Sequence, residues 1–187
     1  IRLETVSLSD LERYSTLLTN DSALAVVKML PTRPFRLRKG DYALVLDDIR
    51  DPGNLGTILR IADWYGIADV LCSPTTTDFY NPKVIAASKG SFLRVNAYYG
   101  QLPELLSSYK AAAVVGALLE GQSVHDFSFP AKGGFLVLGN ESVGISEALQ
   151  ELLTHRITIP RFGAAESLNV GTATAILCDH LRRTVRS

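Results

Sequence analysis

From residue 41 onward, short apolar runs alternate with stretches of helical spacing. Tyr42-Ala43-Leu44-Val45-Leu46 has no polar face, which is the pattern of a strand covered on both sides. A helix is predicted from Gly53 to Gly66, closed by glycine, followed by a strand over Ala68–Cys72 and a short helix over Pro82–Ser88. Phe92–Val95 reads as a strand and Pro103–Tyr109 as a helix. Further strands are expected at Ala111–Ala117, Phe135–Leu138 and Arg156–Ile159. The last helix is predicted over Asn169–Thr184, with Ala and Ile on one face and Arg182, Arg183 and Arg186 at its end. Strands alternating with helices imply an α/β fold: a mostly parallel sheet with helices on both faces.

The first forty residues differ. Leu8–Leu17 has helical spacing, Leu24–Val27 is strand-like, and Pro31–Lys39 is basic and broken by proline. Residues 1–39 are expected to be the tail of a preceding domain plus a linker, and residues 40–187 the main domain. Arg33, Arg36, Arg38 and Lys39 stand close together with no acid among them. The plain reading is a solvated linker; the sharper one is contact with a phosphate backbone.

Composition narrows the classes. Of 187 residues 47% are hydrophobic, and 19 Lys and Arg balance 19 Asp and Glu, which excludes a polyelectrolyte or histone-like binder. No run of about 18 apolar residues occurs, so no membrane span is expected. Cys72 and Cys178 lack any C-x-x-C spacing, so neither a disulfide framework nor a metal site is expected, and a reducing, cytoplasmic setting is. The one methionine is Met29, and Ile1 opens nothing like a signal peptide, so the chain is expected to begin inside a longer protein.

Three strand ends carry the candidate chemistry: Asp47–Thr57 leading to Arg60, Gly139–Gly144, and Pro160–Val170. No G-x-G-x-x-G occurs. Gly139 and Gly144 have P-loop spacing, but Ile145-Ser146 stands where Lys-Ser/Thr is required. No G-x-S-x-G elbow is present, and His125, His155 and His180 fall in unrelated segments and read as surface or packing residues. Each candidate has a bland alternative. Asn54 or Ser167 could be a helix cap, Gly139-Asn140-Glu141 a simple turn, and Arg60 a solvated arginine.

Together, Asp51-Pro52-Gly53-Asn54-Leu55-Gly56 with Arg60, Leu138-Gly139-Asn140-Glu141 with Gly144, and Ile159-Pro160 with Ser167-Leu168-Asn169-Val170 resemble the three motifs of the SpoU/TrmH family. These are RNA ribose 2′-O-methyltransferases of the SPOUT superfamily. Ala87-Ser88-Lys89-Gly90-Ser91 is similar to the family's S-x-G-A segment, and the resemblance spans about residues 41–187. It implies a C-terminal deep trefoil knot, S-adenosylmethionine as cofactor, and a homodimer packed through the knot and last helix. It places the cofactor against Leu138, Gly139, Asn140, Ile159, Pro160 and Leu168. The catalytic set it implies is Arg60, Asn54, Glu141, Ser167 and Asn169. Ribosomal or transfer RNA would be the partner, met by Arg33, Arg36, Arg38, Lys39 and Lys89, with Lys83, Arg94 and Arg182–Arg186 adding to a basic surface. Two departures stand out: Gly171 where the family continues with serine, and Arg161 where it often has methionine. A SPOUT base methyltransferase and a non-catalytic RNA- or ribosome-binding protein of the same fold are the alternatives.

Overall fold

Tyr42–Leu46 is apolar throughout because it runs through the middle of the molecule. In the computed structural model, which describes residues 2–15, 19–29, 31 and 33–185, all five of its residues are buried. Tyr42, Leu44 and Leu46 enter one core layer while Ala43 and Val45 enter the other. This strand, β1, is paired in parallel with β2 (Asp69–Cys72) on one side and β5 (Gly134–Leu138) on the other. With β3 (Asn96–Tyr99), β4 (Ala113–Ser123) and β6 (His155–Thr158) it forms a six-stranded parallel sheet ordered β3-β2-β1-β5-β4-β6.

Helices cover both faces. Residues of α2 (Pro52–Trp64), α3 (Pro82–Ser88) and α6 (Val170–Thr184) pack into the layer of Leu44 and Leu46. Those of α4 (Leu102–Ser107) and α5 (Glu147–Gln150) pack into the layer of Val45 and Val137. Gly56 lets α2 and α3 approach closely, since an added Cβ would stand 2.8 Å from the Val84 carbonyl. The sheet changes direction between β1 and β5. A connection runs outward from each at its carboxyl end, which is where parallel α/β sheets place ligands. β6 lies at the outer edge beside β4, yet α6 packs against α2, so residues 159–169 must return across the sheet.

Two units are distinguished, Ile1–Pro31 and Thr32–Ser187. In the first, α1 (Leu8–Tyr14) is capped by Ser7, whose hydroxyl accepts from the Asp10 amide at 3.2 Å. The end of the helix expected here, at Thr16–Leu17, lies outside the described residues, as does Arg186. The strand expected at Leu24–Val27 is absent. No backbone of the described residues pairs with this stretch, and Val26 and Val27 are 90% and 81% exposed. In the second unit, residues 34–38 alternate: Phe35 and Leu37 pack against the sheet while Arg36 and Arg38 face outward. Phe35 meets Tyr98 and Tyr109 edge-on, with ring centroids 5.3 and 5.6 Å apart.

The strand expected at Phe92–Val95 is also corrected. Gly90, at φ +89°, starts a 3-10 turn over Ser91–Leu93, and β3 begins only at Asn96. Arg94 is held in that turn by Asp63, 2.7 Å away, while the Ser91 hydroxyl donates to the same carboxylate at 2.8 Å. α5 and the outer half of β4 were not foreseen. Cys72 and Cys178 are fully buried, and burial pushes both thiols up to about 12.

Candidate functional site

α2 starts at a proline directly after its cap, Asp51, whose carboxylate accepts from the Asn54 amide at 2.8 Å. That cap sets Asn54 on the first turn at the sheet's switch point, facing the loop after β5. The Asn54 amide nitrogen donates to Glu141 Oε1, and its oxygen accepts from Asn169 Nδ2 at 2.8 Å. One residue from each of three distant segments thus joins a single hydrogen-bond chain.

The direction of that chain is set by a helix. Asn169 caps α6, its side-chain oxygen accepting from the Gly171 and Thr172 amides at 2.9 and 3.2 Å. Its nitrogen is therefore left to donate, Asn54 must present oxygen to it, and the Asn54 nitrogen must turn to Glu141. Glu141 Oε2 has no partner among the described residues. Gly171, the departure from the family pattern, sits in the cap with no room to spare: an added Cβ would be 3.0 Å from Thr57 Cγ2.

The loop after β5 is closed on itself. Asn140 and Gly144 exchange backbone hydrogen bonds of 3.1 and 2.9 Å, and Gly144 takes φ +74°. A Cβ on Gly139 would overlap the Gly144 backbone, so glycine is required for this closure. The Asn140 side chain is also committed. Its oxygen accepts from Ser142 N at 2.8 Å and its nitrogen donates to the Asp48 carbonyl at 2.9 Å.

The loop after β6 is the opposite case. From Ile159 to Leu168 the only hydrogen bond among described residues runs from the Arg161 guanidinium to the Ala165 carbonyl, at 3.3 Å. Phe162 and Leu168 on this loop are 93% and 48% exposed, and Val143 on the facing loop is 78% exposed. Unpaired backbone amides and carbonyls beside apolar side chains are the donor set that a nucleoside with an aliphatic arm requires, so these residues fit the expected cofactor.

Not all candidates come together. Arg60 lies on the exposed side of α2, about 120° round the helix from Asn54, with no partner among the described residues. Ser167 is exposed and has no hydrogen bond among them. Arg33, Arg36, Arg38, Lys39, Lys83 and Lys89 are exposed and pair with no carboxylate of the described residues. The other basic candidates are engaged: Arg94 with Asp63, Arg183 with Asp179, and Arg182 with the Tyr65 and Gly66 carbonyls at the end of α2. His180 bonds the Phe127 carbonyl, and His155, which opens β6, bonds the Thr154 hydroxyl, so neither joins the chain of Glu141, Asn54 and Asn169 at the carboxyl strand ends. Asp47 and Asp48 fall within the first candidate strand end, but the sequence assigned them no role; their signal is two adjacent acids closing a wholly apolar strand.

Residues 41–179 match the SpoU rRNA Methylase family. The chain belongs to that family. Among its relatives is the 23S rRNA (guanosine(2553)-2′-O)-methyltransferase RlmP of Bacillus subtilis, 36% identical over 79% of this chain and 60% of that protein. A TrmH-family protein of Porphyromonas gingivalis has a solved structure of TM-score 0.76 at 42% identity, over 82% of this chain and 63% of that one. An AdoMet-bound rRNA methyltransferase from Sinorhizobium meliloti gives TM-score 0.78 at 29% identity, over 84% and 62%. The chain spans 52% to 60% of the lengths of three curated relatives that it matches. No described helix is long and apolar enough to cross a membrane.

Proposed function

We propose that this SpoU chain transfers a methyl group from S-adenosylmethionine to a ribose 2′-hydroxyl of ribosomal or transfer RNA. The observation that carries the reading is the hydrogen-bond chain Glu141–Asn54–Asn169, which links all three motifs at the switch point of the sheet. Leu138, Gly139, Ile159, Pro160 and Leu168 would hold the cofactor, with Asn140 shaping the loop through bonds already spent within the protein. When bound, S-adenosylmethionine supplies an electrophilic sulfonium methyl group.

The remaining work falls to the chain's own side chains. The open Oε2 of Glu141 is the acceptor offered to the ribose hydroxyl, its carboxylate held in place through Oε1 by Asn54. Arg60 stays protonated and suits gripping the adjacent phosphate and steadying negative charge on the ribose oxygen better than acting as a base. Ser167, exposed next to Leu168, is close enough in sequence to contact either reactant. Arg36 and Arg38, held outward by the burial of Phe35 and Leu37, with Arg33, Lys39 and Lys89, provide unpaired cations for RNA phosphates.

Three wider features belong to the same reading. The return of residues 159–169 across the sheet supports a threaded, knotted C-terminal segment. Exposed Trp64 on α2 and Ile176 on α6, at 83% and 37%, support a homodimer packed through that side. The two buried free thiols support a cytoplasmic setting.

Titration of the purified chain with S-adenosylmethionine and S-adenosylhomocysteine, followed by mapping of ribose methylation, tests the function. Micromolar binding and a single 2′-O-methylated nucleotide are expected. Methyl groups found on a base, or no binding even in the presence of RNA, would overturn it. Arg60→Lys keeps the charge but loses the planar fork, and is expected to bind cofactor normally while losing most turnover.

A further inference from the structure

β1 leaves the sheet through two acids, and both reach across to the loop after β5. Asp47, 8% exposed, accepts from the Ser146 amide through Oδ2 at 2.7 Å, and its own amide donates to the Leu138 carbonyl at 2.9 Å. Asp48 takes φ +60°, one of two non-glycine residues in the left-handed region among those described. That backbone turn points its carbonyl and its carboxylate the same way. Both accept from Asn140 Nδ2, at 2.9 and 3.1 Å. Its amide is tied to the Ser73 hydroxyl at 2.9 Å, which anchors the turn to the end of β2.

Asn140 and Ser146 are the first and last residues of the loop that carries Glu141 and is closed by the Asn140–Gly144 bridge. Adjacent residues on one strand end therefore hold both ends of a loop on another. A left-handed aspartate costs free energy, and it persists where the surroundings over-determine it.

We propose that Asp47 and Asp48 are positioning residues that clamp the Asn140–Ser146 loop, and so fix Glu141 and the Gly139 turn for cofactor and RNA. The role in methyl transfer rests on the function proposed above; the clamp itself is a property of the ligand-free chain. The Arg50 guanidinium, 2.9 Å from Asp48, holds that carboxyl below the usual carboxylate range and keeps it an acceptor. Asp48 keeps its side chain 18% exposed, and neither acid belongs to the apolar core, so the clamp can be cut without emptying a core position.

Three variants of the full chain test this. Asp48→Gly accepts φ +60° without strain and removes the carboxylate. Asp48→Asn keeps an acceptor oxygen for Asn140 but ends the ion pair with Arg50. Asp47→Ala frees the Ser146 amide. Amide hydrogen exchange of the ligand-free protein and S-adenosylhomocysteine titration are read for each.

In Asp48→Gly, exchange at Ser142, Val143 and Gly144 should speed up and S-adenosylhomocysteine affinity should fall, each by about tenfold, the size expected for lost charge-assisted hydrogen bonds. Asp47→Ala should speed exchange chiefly at Ser146. Asp48→Asn should restore both readouts to within about threefold of wild type, a rescue that general loss of stability would not produce. Wild-type exchange and affinity in Asp48→Gly would overturn the proposal. So would equal impairment of the Gly and Asn variants, which would assign the effect to the Arg50 pair. If the wild-type protein binds no S-adenosylhomocysteine, the methyltransferase reading fails, while the exchange data still decide the clamp.

Discussion

Two loops lead to Asn54 at the switch point, one through Glu141 and the other into Asn169, and they are built in opposite ways. The loop over Asn140–Ser146 closes on itself through the Asn140–Gly144 backbone pair, spends its asparagine side chain on Ser142 and Asp48, and is gripped at both ends by the residues that follow β1. The loop over Ile159–Leu168, longer by three residues and also at a parallel strand's carboxyl end, makes one hydrogen bond among the described residues. A site with one finished wall and one open wall keeps its reacting groups aligned while leaving backbone groups free to pair with a ligand. The finished wall carries Glu141; the open one carries Phe162, Ser167 and Leu168.

The sharpest way to break the contrast is amide exchange with and without S-adenosylhomocysteine. At a concentration about 100 times Kd, amides of residues 161–168 should slow by up to about 100-fold while Ser142–Ser146 change little. Equal protection of both loops would erase the distinction.

Cutting the bridge between the walls comes next. Asn54→Ala takes the partner from Glu141 Oε1 and from Asn169 Nδ2, and under the proposed function turnover should fall on the order of 100-fold with the fold retained, because small misplacements of reacting groups are costly. Single-turnover methylation with circular dichroism as the fold control measures this, and unchanged turnover would detach the chain of amides from catalysis.

A finer cut separates the two jobs of Asn169. Asn169→Ala loses the α6 cap, worth about 1 kcal/mol, and should lower Tm by roughly 2–4 °C for a chain of this size. Asn169→Asp caps as well as asparagine but cannot donate to Asn54, so it should melt like wild type and still lose turnover. If both variants lose activity only in proportion to stability, the donor role is wrong.

The smallest effect concerns pH. The Asp48 carboxyl is lowered, first by its hydrogen bond from Arg50, so its contribution is complete above the ordinary carboxylate value near 4 and is lost only as pH falls through the lowered one. Exchange in the Asn140–Ser146 loop, corrected for intrinsic rates, should therefore hold steady from about pH 7 to 5 and quicken only under stronger acid. Loosening near pH 6 would point to a histidine instead.

Much of this was legible beforehand because its causes are local. A strand apolar on every residue has to be covered twice. The start of α2 was read slightly late, with Gly53 as its first residue and Asn54 offered as its cap, whereas Asp51 caps the helix and Pro52 opens it. Phe92–Val95 misled because the deciding contact, Asp63 with Arg94, lies 31 residues away. Arg182 resembled the free cations of residues 33–39 for the same reason: its partners, the Tyr65 and Gly66 carbonyls, are 117 and 116 residues distant. Phe35 and Leu37 were masked by the arginines between them, whose alternation shows only once the sheet beneath is known. Asn140 was read as a cofactor contact from its place in a motif; that its polar groups are spent on Asp48, Ser142 and Gly144 is a fact of three dimensions.

Asn169 starts the last helix and also orients Asn54 and Glu141, and this has a consequence for how the molecule comes into being. During synthesis β1, β5 and both acids that grip the middle loop are made well before Asn169 emerges. The sheet's central strands can pair in that interval, but the amides between the loops have nothing to fix which way they point. The orientation of that trio is therefore set only once the segment carrying Asn169 has been made and has capped the helix that follows it.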